Sequence, residues 1–179
     1  MRRLLKFLHT IGAIGLMGAM ACLLVLLAFV PPPSAASEYA LMRGAMAAIA
    51  KWVFLPSFAL TLIAGLLAIG VNRAFHNAGW AWLKLATGIL IFESGFVGVL
   101  GPMQNEAERS AAALAGQAAG QAVGQAASEA ASQAASLADS ANLAGSLTAE
   151  RNTLWVLLAV ATLNVVLGIW RPRLTRLPD

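Results

Sequence analysis

The chain has 179 residues, of which 59% are hydrophobic and only 11% charged. Soluble domains carry roughly one quarter charged residues, so this composition excludes an ordinary water-soluble fold and places the chain in a lipid bilayer. The net charge of +4 does not mark a nucleic-acid partner. The basic residues gather at the ends of apolar runs, where they act as orientation signals, and no basic patch interleaved with aromatics is present.

The start, MRRLLKFLHT, sets Arg2, Arg3 and Lys6 ahead of an apolar run from Phe7 to Val30, which Pro31, Pro32 and Pro33 close. A signal peptide has a similar charged start but an apolar core of only about 7–15 residues, so the run reads as an uncleaved first span. Gly12, Gly15 and Gly18, with Ala19 and Cys22, offer a small-residue surface for close helix contact. Cys22 is the single cysteine, so it has no internal disulfide partner and behaves as a small hydrophobe.

In the first loop Ser37 is placed to cap a helix, EYALMRGAMAAIAK, that runs into a second span, Trp52 to Val71. Pro56 lies in the first turns of that span, where it tilts or kinks the entry. A turn, NRAFHNAG, leads to a third span beginning at Trp80, which Gly101-Pro102 is expected to end. Residues 104–150 are low-complexity, with a small residue at every fourth place from Gly116 to Ser140. A period of four drifts about 40° per repeat around a 3.6-residue helix, so the segment reads as a mostly helical spacer rather than one straight seam. The last span runs from Leu154 to Trp170, with Thr148 as a candidate cap and Arg171, Arg173 and Arg176 behind it. Trp52, Trp80, Trp82, Trp155 and Trp170 all fall at span ends, where indoles favour the headgroup layer.

Basic residues set the orientation. The N-terminus, second loop and C-terminus hold Arg2, Arg3, Lys6, Arg73, Arg171, Arg173 and Arg176. The other two loops offset Arg43, Lys51, Arg109 and Arg151 with Glu38, Glu106, Glu108, Glu129, Asp139 and Glu150. Both termini are therefore expected in the cytoplasm of a bacterial inner membrane, with the 104–150 segment on the far side.

The candidate functional residues are Glu93, Thr61, Asn164 and His9. Counted from Trp82 at about 1.5 Å per residue, Glu93 lies roughly 17 Å into a hydrocarbon core about 30 Å thick. No cation reaches its layer, and the bilayer penalises an unpaired charge there. Thr61 lies at a similar depth and is the first choice of partner. Asn164, about 9 Å in, matches Thr87 better than Glu93. Glu93 fits two roles, a proton or cation relay and a neutral interhelical hydrogen bond. His9 is a candidate metal or haem ligand with Met17 or Met20, although those lie two and three turns away, and an interfacial hydrogen-bonding histidine is the simpler role. Lys84, one turn inside the interface, is expected to snorkel outward. No nucleophile motif, zinc-binding histidine pair or phosphate-binding loop is present, so neither an enzyme nor a cofactor is expected.

The opening LLKFLHTIGAIGLMG resembles the first helix of small bacterial inner-membrane proteins of the copper-resistance D-like group and its uncharacterised relatives. The ending LNVVLGIWRPRL resembles that group's last helix. The resemblance covers the four spans and not the Ala/Gln/Ser insertion. It implies a four-helix bundle and a link to copper handling, with His9 as the one residue carried over as a candidate ligand.

These readings give an all-α membrane protein, a four-helix up-down transmembrane bundle. It divides into helices 1–3 (1–103), a spacer (104–150), and helix 4 with a basic tail (151–179). The expected partners are the lipid bilayer and other membrane subunits or a second copy. Two functions fit: a non-enzymatic scaffold or accessory subunit of an inner-membrane complex, and a small transporter or proton- or metal-coupled permease in which Glu93 is the coupling acid.

Overall fold

The computed structural model describes the backbone of residues 2–71, 79–123 and 129–170, and side chains within 3–71, 81–118 and 145–170. The rest of the NRAFHNAG turn, the basic tail and most side chains of the small-residue repeat lie outside the described residues. Among the described residues six α-helices follow one another: α1 (Arg2–Ala28), α2 (Ala36–Ile49), α3 (Leu55–Val71), α4 (Gly79–Gly95), α5 (Gly101–Val123) and α6 (Glu129–Trp170). Among the described residues there are no strands, and four helical stretches are long and apolar enough to cross a membrane. An apolar helix is the stable form there, because hydrocarbon offers no partner for an open backbone group.

The four spans form a ring. α1 packs most extensively on α3 and also on α6, while α4 packs on α6 and α3. Glycines permit the closest of these contacts: a Cβ at Gly12 would run into the Thr61 hydroxyl and the Ser57 carbonyl, and one at Gly15 into the Ser57 hydroxyl. Gly18 has nothing within 4 Å and Cys22 is exposed, so the expected small-residue face of α1 is only partly used. Met20, Leu23, Met46, Val99, Met103 and Leu154 are fully buried together toward one end of the ring. Leu4, Phe7, Ile14, Ile63, Leu67, Val156 and Ile169 face outward, as lipid-facing side chains must.

α2 and α3 form one helix joined by a π turn, Ala50–Phe54, and α4 and α5 another joined by a π turn, Phe96–Leu100. Each π turn closes with a backbone bond to the fifth residue back, Leu55 N–H to the Ala50 carbonyl and Gly101 N–H to the Phe96 carbonyl. A proline follows each closing residue, Pro56 and Pro102. A proline ring clashes with the carbonyl four residues earlier, and a widened turn moves that carbonyl aside. This corrects the expected helix end at Gly101-Pro102: the helix continues to Val123. The Ser37 cap is also corrected, since Ala35 occupies the N-cap and makes no side-chain bond. Thr148 lies inside α6 rather than at its start.

These continuous helices outrun the bilayer. Residues 36–71 alone would span about 54 Å, against a core of about 30 Å. α2, the start of α5 and the part of α6 ahead of Leu154 therefore form a cap beyond the apolar runs, with α2 packed along α5. Its centre is a bidentate ion pair: Arg43 Nη1 and Nη2 donate to the Glu150 carboxylate at 2.9 and 2.7 Å. Arg43 is completely buried and Glu150 nearly so, and Arg43 Nε has no partner. Beside them Tyr39 donates to Glu106 Oε1 at 3.0 Å. Burial, and next the bond to Glu106, push the Tyr39 phenol above its usual range, so it remains a neutral donor. Removing one member of a buried pair strands the other charge and costs about 3–5 kcal/mol. Arg43→Met and Glu150→Leu should each lower unfolding stability in detergent by that order. The double variant should lose much less than the sum, which a double-mutant cycle measures.

Candidate functional site

At the end of the ring away from the cap the helices diverge around a cavity of about 600 Å³. Its mouth lies where α1 begins and α6 ends, with Lys6, Val71, Ala81 and Gly168 on its walls. Its floor is made by Met17, Phe58, Ile91 and Ala161. From Lys6 to Met17 is about 16 Å along α1, so the cavity reaches toward mid-bilayer.

Local packing fixes its polar residues. His9 Nδ1 lies 2.8 Å from the Thr61 carbonyl oxygen, which can only accept, so Nδ1 is the donor and carries the proton. The ring rests on Gly65, where a Cβ would sit 3.4 Å from Cε1 and Nδ1. The Thr61 hydroxyl turns back to the Ser57 carbonyl at 2.8 Å. Across the cavity, Asn164 Nδ2 donates to Thr87 Oγ1 at 3.1 Å, the pair that depth counting favours, while Asn164 Oδ1 is buried without a partner. Lys84 turns inward to α6 rather than only outward: a Cβ on Gly168 would stand 2.8 Å from its Nζ. Among the described residues the lining contains Lys6, His9 and Lys84 and no acid.

Glu93 lies elsewhere. It is exposed on the outer face of α4 and is not part of the cavity wall. No hydrogen bond or ion pair reaches it from the described residues. The helix places it there by rotation. Ala81, Ile91 and Gly95 are the buried positions of α4, and Glu93 is two residues, about 200°, from Gly95. Phe54, Phe58, Phe92 and Phe96 form a ladder between α3 and α4 with ring centroids 6.3, 5.0 and 6.2 Å apart. Phe54 Cζ would lie 2.8 Å from a Cβ on Gly95, so the ladder holds α4 in this rotation.

The proposed Glu93–Thr61 pair is therefore corrected. The two match in depth but not in direction, since Thr61 faces α1. His9 and Thr61 are brought together, and Asn164 shares their cavity. Met17 lines that cavity, whereas Met20 belongs to the core. Among the described residues no three His, Cys, Asp or Glu gather as a metal-binding group. The buried Arg43–Glu150 pair was missed in the sequence because its members are 107 residues apart and read separately as loop charges. Comparisons with protein-family models, curated proteins and solved structures find no match for this chain.

The α1–α3 contact that seats His9 is tested by glycine substitution. Overpacking a close contact costs about 1–3 kcal/mol, so Gly12→Leu should destabilise the bundle by that amount in detergent unfolding. Gly18→Leu, in open space, should change stability by no more than about 0.5 kcal/mol.

Proposed function

We propose that the protein is a non-enzymatic scaffold of the membrane, a small subunit whose work is lateral association through the outer face of α4. The observation that carries this reading is the exposure of Glu93. A carboxyl group facing lipid at mid-depth is costly, and the cost is relieved when another helix covers it. Glu93 belongs to an outward stripe, Leu83, Ala86, Leu90, Glu93 and Val97, all exposed. The spacing alternates three and four residues, the seam that left-handed helix pairs bury.

The partner is a second copy of the chain. Copies inserted in one orientation and related by a twofold axis along the membrane normal keep every residue at its own depth. Glu93 then meets Glu93, and the two carboxyl groups face one another across the interface, out of the lipid. The transport reading asks Glu93 to couple to a pathway through the bundle, and its separation from the cavity weighs against that role. Both termini are assigned to the cytoplasm by the basic residues.

Association is tested in density-matched detergent by sedimentation equilibrium. The wild-type chain should be a dimer. Glu93→Gln should remain one, because paired amides also hydrogen-bond. Glu93→Leu should weaken the dimer by about 1–2 kcal/mol, the scale of an interhelical hydrogen bond in a membrane. A wild-type monomer overturns the proposal, as does a Glu93→Leu dimer of unchanged affinity. For orientation, an alkaline-phosphatase fusion within residues 110–140 should be active and one at the C-terminus inactive.

A further inference from the structure

The cavity between the spans holds one polar atom whose chemistry the fold fixes. His9 donates from Nδ1 to the Thr61 carbonyl, so in the neutral ring Nε2 is an acceptor. Nε2 has no partner among the described residues and is not enclosed by them, and His9 lines the cavity. The ring lies well inside the mouth: it rests on Gly65, six residues and about 9 Å along α3 from Val71. Across the cavity the Asn164 amide nitrogen is bonded to Thr87, and its unpartnered Oδ1 is itself buried. Inward of His9 the walls are Ala13, Met17, Phe58, Leu62, Ile91 and Ala161. Pockets of about 300–1,000 Å³ with apolar walls and a few placed polar groups are the usual form of small-molecule sites. Here the walls accept a chain without orienting it, and an acceptor held by its own backbone bond orients only a donor.

We propose that this cavity binds a neutral single-chain lipophile carrying one hydroxyl group, a long-chain alcohol or phenol, whose O–H donates to His9 Nε2 while its chain lies against Phe58 and Ile91. Recognition needs no charge on the ligand, and every contact it uses lies inward of the mouth. Size supports one chain: at the roughly 30 Å³ that a water occupies, 600 Å³ holds about twenty non-hydrogen atoms. Gly88 sets the bore, since a Cβ there meets only Leu62 Cδ1, at 3.9 Å, and a larger side chain would occupy the chain's space. His9 thus divides its two nitrogens between tasks, Nδ1 seating α1 on α3 and Nε2 receiving the ligand. The site is separate from the Glu93 face, so it stands whether or not the chain dimerises.

Native mass spectrometry of the full chain in a mild non-ionic detergent tests this with three probes: oleyl alcohol, its methyl ether and dioleoylglycerol. One oleyl alcohol should be retained per chain. The ether keeps the chain and an acceptor oxygen but has no proton to give, and it should be held about tenfold more weakly, the scale of one hydrogen bond in a membrane. Dioleoylglycerol has the hydroxyl but a second chain, and should not be retained. His9→Asn separates the two ring nitrogens, since its amide nitrogen takes the place of Nδ1 at the Thr61 carbonyl and nothing takes the place of Nε2. That variant should assemble as the wild type does and hold the alcohol no better than the ether. Gly88→Leu should abolish retention of both. If either variant fails to assemble, the comparison of alcohol with ether on the wild-type chain decides. Loss of the distinction between those two probes on the wild type overturns the proposal, as does a wild type that retains neither. Undiminished alcohol binding to an assembled His9→Asn or Gly88→Leu chain, or retention of dioleoylglycerol in place of the alcohol, also overturns it.

Discussion

The constraint on which this structure depends is the absence of water in the bilayer core. Each polar side chain within a span must find its partner in the protein. His9 finds the Thr61 carbonyl, and Asn164 finds Thr87. Thr61, Thr87 and Thr162 bond back to carbonyls of their own helices. These bonds fix the facing of α1 on α3 and of α4 on α6. Glu93 is the one carboxylate inside the apolar runs, and no hydrogen bond or ion pair reaches it from the described residues.

The two ends of the bundle answer different demands. Beyond the apolar runs, a buried bidentate pair, Arg43 to Glu150, ties α2 to α6, and Tyr39 to Glu106 ties α2 to α5. The two π turns lie at the cap ends of the second and third spans, so each long helix adjusts its phase as it enters the cap. Toward the opposite end the core gives way to a cavity with cationic residues at its mouth. A tightly packed cap and an open, charged mouth give the molecule a clear polarity from end to end.

Much of this was legible in the sequence because membrane proteins are written along one axis. Apolar length gave the four spans, and counting residues paired Asn164 with Thr87. Direction around the axis was harder to read. The run from Trp80 to Met103 is apolar on all sides, so no amphipathic stripe marks its buried face, and Glu93 was paired by depth with a threonine that faces away. A usable signal was present in Ala81, Gly88 and Gly95, small residues seven apart that share one face and set Glu93 on the other. Pro102 misled for a local reason: a proline removes one donor and crowds one carbonyl, and a single π turn absorbs both. The ion pair was out of reach, since nothing local in α2 points to a residue on α6.

The central claim is that the outer face of α4 is where a second copy docks, and disulfide trapping tests it most directly. In a Cys22→Ser background, a cysteine replacing Leu90 lies on the Glu93 stripe, and one replacing Val156 lies on the exposed face of α6. Disulfides need Cβ atoms within about 4.5 Å. The expected result in native membranes is rapid covalent dimer from Leu90→Cys and little from Val156→Cys. Equal trapping at both positions, or none at Leu90→Cys, would contradict the account.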